Sequence, residues 1–402
     1  MSQTDTTAIS VAWISRGRLF VQRAGMPLKE IESDFAKQAL TREMRDSQAN
    51  AWKGRSGVWG NLGMQPPGIA PWEDSDPRRQ IRFVTVAVGE TADEIFYTLD
   101  MGAVGGLFSY NMRTDIERRL VHRQGFVLRD LSRHRKDGEL ALSLPREDGT
   151  VGLKITRPDG LYGKDVAMSD SLDESPSWLH DDSKKLVFQS AAIGRNEHGY
   201  IVGKSQYRIE LLDLESEELK TLHEEAGFDL LQPRMMPDGS LIYIRRPYQQ
   251  QQTQRPVSFV DVLMDVLLFP YRLLRTFVYF FNFMSMMFAG KPLISAGGPL
   301  SAKKQANPYL MLWGQAVDTQ KVLNQDRDGS AKKPLVPKEW QLIRRQPDGS
   351  ESKLADNVLS WSACSAGTIA WTDGRSLYRL KPDRQSEVIA SADLIERIAV
   401  LS

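Results

Sequence analysis

A short pattern recurs along this 402-residue chain: an apolar strand, a tight polar turn, then a second β-rich strand. Its clearest copy is Trp178-Leu179-His180-Asp181-Asp182-Ser183-Lys184-Lys185-Leu186-Val187-Phe188, and the next is Met235-Met236-Pro237-Asp238-Gly239-Ser240-Leu241-Ile242-Tyr243. Looser copies lie at 13–21, 136–142 and 366–371, with a sixth at Glu94-Ile95-Phe96-Tyr97. Pro presets φ, Asp bonds its own backbone and Gly tolerates positive φ, so the turn joins two antiparallel strands. Such a unit cannot bury its apolar face alone and must stack against its neighbours, which makes the repeat the main constraint on the fold.

A second hairpin follows several copies. Tyr207-Arg208-Ile209-Glu210-Leu211-Leu212-Asp213-Leu214 alternates with the period of a half-buried strand, breaks at Glu215-Ser216 and resumes at Leu219-Lys220-Thr221-Leu222. Trp340-Gln341-Leu342-Ile343-Arg344-Arg345, turned by Pro347-Asp348-Gly349, repeats the design, as does Leu377-Tyr378-Arg379-Leu380 before Pro382-Asp383. Each unit therefore holds four short strands. Ile95 to Leu140 is 45 residues, Leu140 to Leu186 is 46 and Leu186 to Leu241 is 55, close to the roughly 40–50 of a propeller blade. The interval from Leu241 to Ile369 is 128, which requires an extra blade or an insertion, and the composition of 248–308 favours insertion.

The expected fold is all-β: a β-propeller of four-stranded antiparallel blades, six favoured and seven the alternative, with an inserted hydrophobic helical arm. Residues 1–247 form its first part, 248–308 the arm and 309–402 the remainder. The last strand, Ile395-Glu396-Arg397-Ile398-Ala399-Val400-Leu401, is too short for a blade and is expected to pair near 8–21, closing the ring. Residues 29–45 contain no Gly or Pro and read as a helix.

The order of apolar strand, Pro-Asp-Gly-like turn, Leu/Ile-x-Phe/Tyr strand and second hairpin resembles the repeat of TolB-like propellers, found also in the non-catalytic propeller of prolyl oligopeptidases. The resemblance covers roughly 81–246 and 338–401. It implies a propeller fold and says little about function. TolB is exported, whereas the start Met1-Ser2-Gln3-Thr4-Asp5-Thr6-Thr7 has no basic, apolar and small-residue signal order. A cytoplasmic, bacterial protein is the expectation, and the single cysteine, Cys364, fits a reducing compartment.

The 52 Lys and Arg balance 51 Asp and Glu, so no global field draws the chain to nucleic acid, and none is expected as a partner. The segment 256–291 is the compositional exception. Its charges before the terminal Lys291, Asp261, Asp265, Arg272 and Arg275, occupy a helical sector of roughly 80°, and Pro270 kinks or divides the helix. The apolar remainder includes Phe259, Val260, Leu263, Leu267, Phe269, Leu274, Phe277, Phe280, Phe281, Phe283, Met287 and Phe288. Its longest uncharged run, 276–290, is 15 residues, short of the roughly 20 that span a bilayer. Three occupants remain for this face: a membrane surface, with the chain peripheral at the inner face of the membrane, a partner protein, or the chain's own propeller.

Catalytic signatures are missing: no Gly-x-Ser-x-Gly elbow, phosphate loop or His-Glu-x-x-His helix occurs. The five histidines are dispersed, His180 falls in a repeat turn where a surface role is the simpler account, and Cys364 reads as buried packing. Asn324, Asp326 and Asp328 have calcium-loop spacing, but Leu335 stands where a bidentate carboxylate is needed, so they form a weak metal candidate and no cofactor is expected. Arg118, Arg119, Arg123, Arg129, Arg133 and Arg135 form a basic cluster at a passage between blades, a candidate patch for an acidic partner or ordinary solvated charge. The expected function is a non-catalytic protein-interaction scaffold; the alternative is a ligand-binding or hydrolytic propeller using its channel.

Overall fold

The computed structural model describes residues 9–42, 45, 81–248, 309–318 and 333–401, apart from short gaps at 103, 160–162, 168, 313–314, 365–366 and 382–384. The arm at 256–291 and the acidic triplet Asn324, Asp326 and Asp328 lie outside the described residues.

Among the described residues the regular structure is nearly all strand. Sheet 1 begins with β1 (Ser10–Ser15), β2 (Arg18–Gln22) and β3 (Lys29–Ile31). Sheet 2 holds β4 (Arg82–Val88), β5 (Glu94–Asp100), β6 (Val104–Asn111) and β7 (Ile116–Gln124). Sheet 3 holds β8 (Asp130–Arg133), β9 (Leu140–Pro145), β10 (Val151–Thr156) and β11 (Lys164–Ala167). Sheet 4 holds β12 (Ser171–Trp178), β13 (Lys185–Arg195), β15 (Arg208–Asp213) and β16 (Glu218–His223), with β14 (Ile201–Lys204) paired to the far end of β13. Sheet 5 holds β17 (Phe228–Met235), β18 (Leu241–Pro247), β21 (Gln341–Arg345) and β22 (Glu351–Ala355). The hairpin of β19 (Tyr309–Leu312) and β20 (Gln315–Asp318) pairs within itself. Sheet 6 holds β23 (Ser360–Ala363), β24 (Ile369–Thr372), β25 (Ser376–Leu380) and β26 (Ser386–Ser391), and β27 (Arg397–Leu401) ends the chain.

Among the described residues the strands thus assort into six four-stranded antiparallel sheets, with sheets 3 and 4 also joined by one parallel bridge, Val151 to Leu172. The long interval between Leu241 and Ile369 falls inside sheet 5: β18 pairs directly with β21 across it, Tyr243 opposite Ile343. The last strand lies against the first, Ala12 opposite Ala399 and Ser10 opposite Leu401, so both ends of the described chain share sheet 1.

The turns form for the reasons their residues suggest. Asp238 accepts from the backbone N–H of Ser240 at 3.0 Å and its hydroxyl at 2.6 Å. Asp348 does the same for Ser350, Asp148 for Thr150 and Asp181 for Ser183. These bonds hold all four carboxyls below the usual Asp value. Gly239 and Gly349 close their turns at φ of 79° and 87°, where a β-carbon would be strained.

One expectation needs correction. Residues 29–45 do not form one helix: Lys29–Ile31 is strand, because it completes sheet 1 with Ile31 opposite Leu19. The helix starts at 34 and runs continuously to 42, capped by Ser33 Oγ, which accepts from the Ala36 N–H at 3.1 Å. Glu117 on β7 anchors that start, accepting from Ser33 Oγ at 2.5 Å and the Phe35 N–H at 2.9 Å. Tertiary pairing has overridden helix propensity over these first residues.

Apolar side chains from adjacent sheets interlock. Ala12, Ile14 and Leu401 of sheet 1 pack with Phe83, Ile95, Tyr97 and Phe108 of sheet 2 in one core cluster. Ile14 is fully buried. Ile14→Ala should therefore destabilise the chain by about 2–5 kcal/mol, the cost of a large-to-small change in a packed core, read as a lowered denaturant midpoint.

Candidate functional site

The six innermost strands, one from each sheet, enclose a cavity of about 520 Å3. Its wall includes Thr85 of β4, Asp130 of β8, Ser175 of β12, Gln232 of β17, Ser360 of β23 and Arg397 of β27. Every junction between neighbouring sheets carries a hydrogen bond. The Phe83 N–H donates to Gly17 O at 2.9 Å between sheets 1 and 2, and Thr85 Oγ1 reaches Asp130 at 3.5 Å between 2 and 3. Trp178 Nε1 donates to Ser132 O at 3.2 Å between 3 and 4, and the Gln232 N–H to Gln189 Oε1 at 2.7 Å between 4 and 5. Trp361 Nε1 donates to Gln232 O at 3.0 Å between 5 and 6, and the Val400 N–H to Ser362 Oγ at 3.1 Å closes 6 onto 1.

Three inner strands reach these positions through bulges, β4 between Phe83 and Val86 around Thr85, and β12 and β17 with left-handed residues. The register slips between Glu174 and Ser177 and between Leu231 and Arg234, and Ser175 and Gln232 sit there at φ of 52° and 50°. Left-handed backbone is uncommon for residues other than glycine and persists where its surroundings hold it. Here they do: Ser175 Oγ donates to Asp130 at 2.9 Å, while Gln232 Oε1 accepts from the Trp361 N–H at 3.2 Å. The bulges aim these side chains along the ring instead of along the strand.

Asp130 is the hub of the wall. Besides Ser175 and Thr85 it accepts from Arg397 Nη1 at 2.9 Å, and Arg397 Nη2 donates to Arg129 O at 3.1 Å. Arg129 in turn pairs with buried Glu174, which also accepts from Gln189 Nε2 at 3.2 Å and the Tyr207 hydroxyl at 3.0 Å. Tyr207's N–H donates to Asp229 at 2.9 Å, and Asp229 also receives Arg246 through Nε at 3.1 Å and Nη2 at 3.0 Å. Arg246 is fully buried, its guanidinium 4.9 Å from the Trp340 ring centre. Carboxylates taken out of water here are matched by charged or polar donors, as buried charge requires.

The cavity mouth has a different balance. Arg133, Arg135 and Arg234 line it beside His180, while the lining acids are Asp130, already paired with Arg397, and exposed Glu90. Arg234 donates to Ala363 O at 2.6 Å and stacks 5.7 Å from the Trp361 ring centre; burial lowers its pKa below the ordinary arginine value. Burial also lowers the His180 pKa, assisted by the positive charges of Arg234 and Arg135.

A network fixes the loop that presents Arg135. His134 is fully buried with its ring 4.7 Å from that of Trp178, and its Nδ1 lies 2.6 Å from Asp137 Oδ1. Lys184 of the next sheet bonds both Asp137 and Glu139. Burial alone would raise the Asp137 pKa, but bonds from Lys184, the Glu139 N–H and His134 outweigh it and hold the carboxyl at about 2.

The structure divides the basic cluster read from sequence. Arg118, Arg119 and Arg123 lie exposed on the outer strand β7, Arg119 over the Phe35 ring and Arg123 over Phe126. Arg129 is tied to Glu174, and Arg133 and Arg135 reach the cavity. His180 is half-buried in the cavity wall, not free on the surface, because its turn tips inward between Arg135 and Arg234. Cys364 is buried in the same wall. Sequence reading passed over Ser175, Gln232, Arg234 and Arg397. A signal existed for the first two, since Ser175-Pro176 and Gln232-Pro233 stand at the same offset before their repeat turns. Among the described residues no helix is long and apolar enough to cross a membrane.

No family profile matches the chain, and no curated protein is similar to it in sequence. Solved structures are. TolB from Acinetobacter baumannii superposes with a TM-score of 0.52 at 10% identity, covering 98% of this chain and 66% of that one. The tricorn protease gives 0.45 at 11% identity, over 98% of this chain and 34% of that one. A chain of a nidogen/laminin complex gives 0.49 at 6% identity, over 98% and 99%. The present chain thus spans less than two thirds of the TolB chain it matches. At such identities the likeness establishes the fold alone, a TolB-like β-propeller.

The Asp137 network gives a pH dependence with a definite sign. Its folded pKa lies below the unfolded value, so its contribution is fully present above 3.8 and is lost as pH falls towards about 2. Asp137→Asn should lower stability at neutral pH by about 1 kcal/mol, allowing for the partial exposure of the carboxylate. It should also flatten the acid limb of stability against pH in that window, measured by denaturant unfolding across the pH range.

Proposed function

We propose that this TolB-like β-propeller acts as a non-catalytic protein-interaction scaffold in the cytoplasm, offering its cavity-mouth face to a partner. The observation that carries this reading is the engagement of the cavity's polar side chains in bonds between sheets. Asp130, Ser175, Gln232 and Trp361 all hold neighbouring strands together. Groups committed in this way build a rigid frame, and rigid frames present recognition groups at low entropic cost. What the frame presents outward is the arginine-rich mouth.

The sequence of 256–291 supports a second part of the reading, that this segment docks the scaffold on a membrane surface or in an assembly. Its charges before the terminal Lys291 share one narrow stripe and most of the remaining surface is apolar, the distribution of an interfacial helix. One observation favours the alternative of a ligand-binding or catalytic channel: a cavity of about 520 Å3 lies within the size range of small-molecule sites.

Deletion of 256–291 should leave a chain with an unchanged melting temperature that no longer floats with anionic vesicles or co-purifies with its assembly. Flotation and co-purification identical to the full-length protein would refute the docking reading. Turnover of a small molecule lost on substituting a cavity-wall residue would favour the channel alternative.

A further inference from the structure

We infer that the cavity mouth binds a carboxylate-rich peptide segment of a protein partner, with Arg133, Arg135 and Arg234 as its anchoring cations. The inference rests on the scaffold reading and names the chemistry of its partner.

The argument starts from charge. Over the whole chain cations exceed anions by one, yet the cavity is lined by four arginines, Arg133, Arg135, Arg234 and Arg397, against Asp130 and Glu90. Arg397 and Asp130 neutralise each other at 2.9 Å. Glu90 is exposed, its N–H bonded to the Glu94 carboxylate. That leaves Arg133, Arg135 and Arg234 in the lining, the Arg133 guanidinium resting beside Gly138 at the rim, and among the described residues no carboxylate lies within ion-pairing distance of any of them.

Arg234 is the sharpest case. Its guanidinium is desolvated and held against Trp361, with a backbone carbonyl as its hydrogen-bond partner. A guanidinium carries five N–H donors in a fixed fork suited to a carboxylate. A desolvated cation whose compensating charge, Asp130, is already committed to Arg397 is costly, and an arriving carboxylate relieves that cost. The Asp137, Lys184 and His134 network fixes the loop of Arg133 and Arg135, so these cations are also preorganised.

Geometry selects the ligand class. The cations come from two sheets, Arg133 and Arg135 from the end of β8 and Arg234 from β17, with His180 of sheet 4 between them. A spread of this kind matches several carboxylates along an extended chain better than one compact ion. The site is concave, which a flat lipid surface cannot enter, and the near-neutral chain has no net positive field to draw a nucleic-acid backbone.

The test titrates fluorescein-labelled hexaglutamate with the full chain at low ionic strength and reads anisotropy. The expected result is saturable binding that weakens as salt rises and falls at least about tenfold in Arg133→Ala/Arg135→Ala, about the loss of one charge-assisted contact. Neither of those arginines bridges two sheets, so the double variant should melt as the parent does. Arg234→Ala, checked by its melting curve, should weaken binding further. No hexaglutamate binding by the parent, or equal binding by parent and double variant, overturns the inference. Binding of inorganic phosphate without hexaglutamate binding also overturns it, as an oxyanion pocket unrelated to peptides. Partner capture that survives in the double variant overturns this site while leaving the scaffold reading intact.

Discussion

The pairing of the last strand with the first is the constraint on which the rest of the structure depends. β27 supplies the innermost strand of a sheet whose other three strands come from the start of the chain. Its backbone pairs with β1 over five residues, from Ser10–Leu401 to Ile14–Arg397. Without it, sheet 1 would present an unpaired edge to the cavity and sheet 6 would lose its neighbour. The same strand delivers Arg397 to Asp130, across to sheet 3, and the Val400 N–H to Ser362 of sheet 6. Closure and the organisation of the cavity wall are thus one event.

Between sheets, apolar packing supplies cohesion and polar bonds supply register. Core clusters such as that shared by sheets 1 and 2 would tolerate some sliding, because dispersion has little direction. A hydrogen bond from an indole to a particular carbonyl does not. Trp178 to Ser132 and Trp361 to Gln232 fix the level at which one sheet meets the next. The left-handed Ser175 and Gln232 carry backbone strain at those junctions, offset by the bonds that the bulges make available. The outcome is a wall whose polar groups face one another around the ring, and a mouth lined by arginines.

The turns were the legible part of the fold. Asp followed by Gly and Ser, at 238–240 and 348–350, specifies its own hydrogen bonds within three residues, so local sequence suffices. The strand at Lys29–Ile31 was hidden, because its identity comes from pairing with β2 and not from its own helix-favouring residues. The cavity wall was partly hidden for the same reason. Asp130 finds Arg397 across 267 residues and Gln232 finds Trp361 across 129, distances over which no local pattern speaks. The basic cluster was visible as composition, but its partition was not. Arg129 turns to Glu174 while Arg133, four residues on, faces the cavity, and only the sheet geometry separates them.

Ring closure can be measured directly through Ala12 and Ala399, two small buried residues that lie opposite each other in the β1–β27 register. In a Cys364→Ser background, Ala12→Cys with Ala399→Cys should form a disulfide on mild oxidation, seen as a mass loss of two hydrogens and a mobility shift on non-reducing gels. The oxidised chain should also melt higher, since the bond restricts the unfolded state. Two free thiols that persist under oxidation in the folded protein would contradict the closed ring and the cavity built upon it.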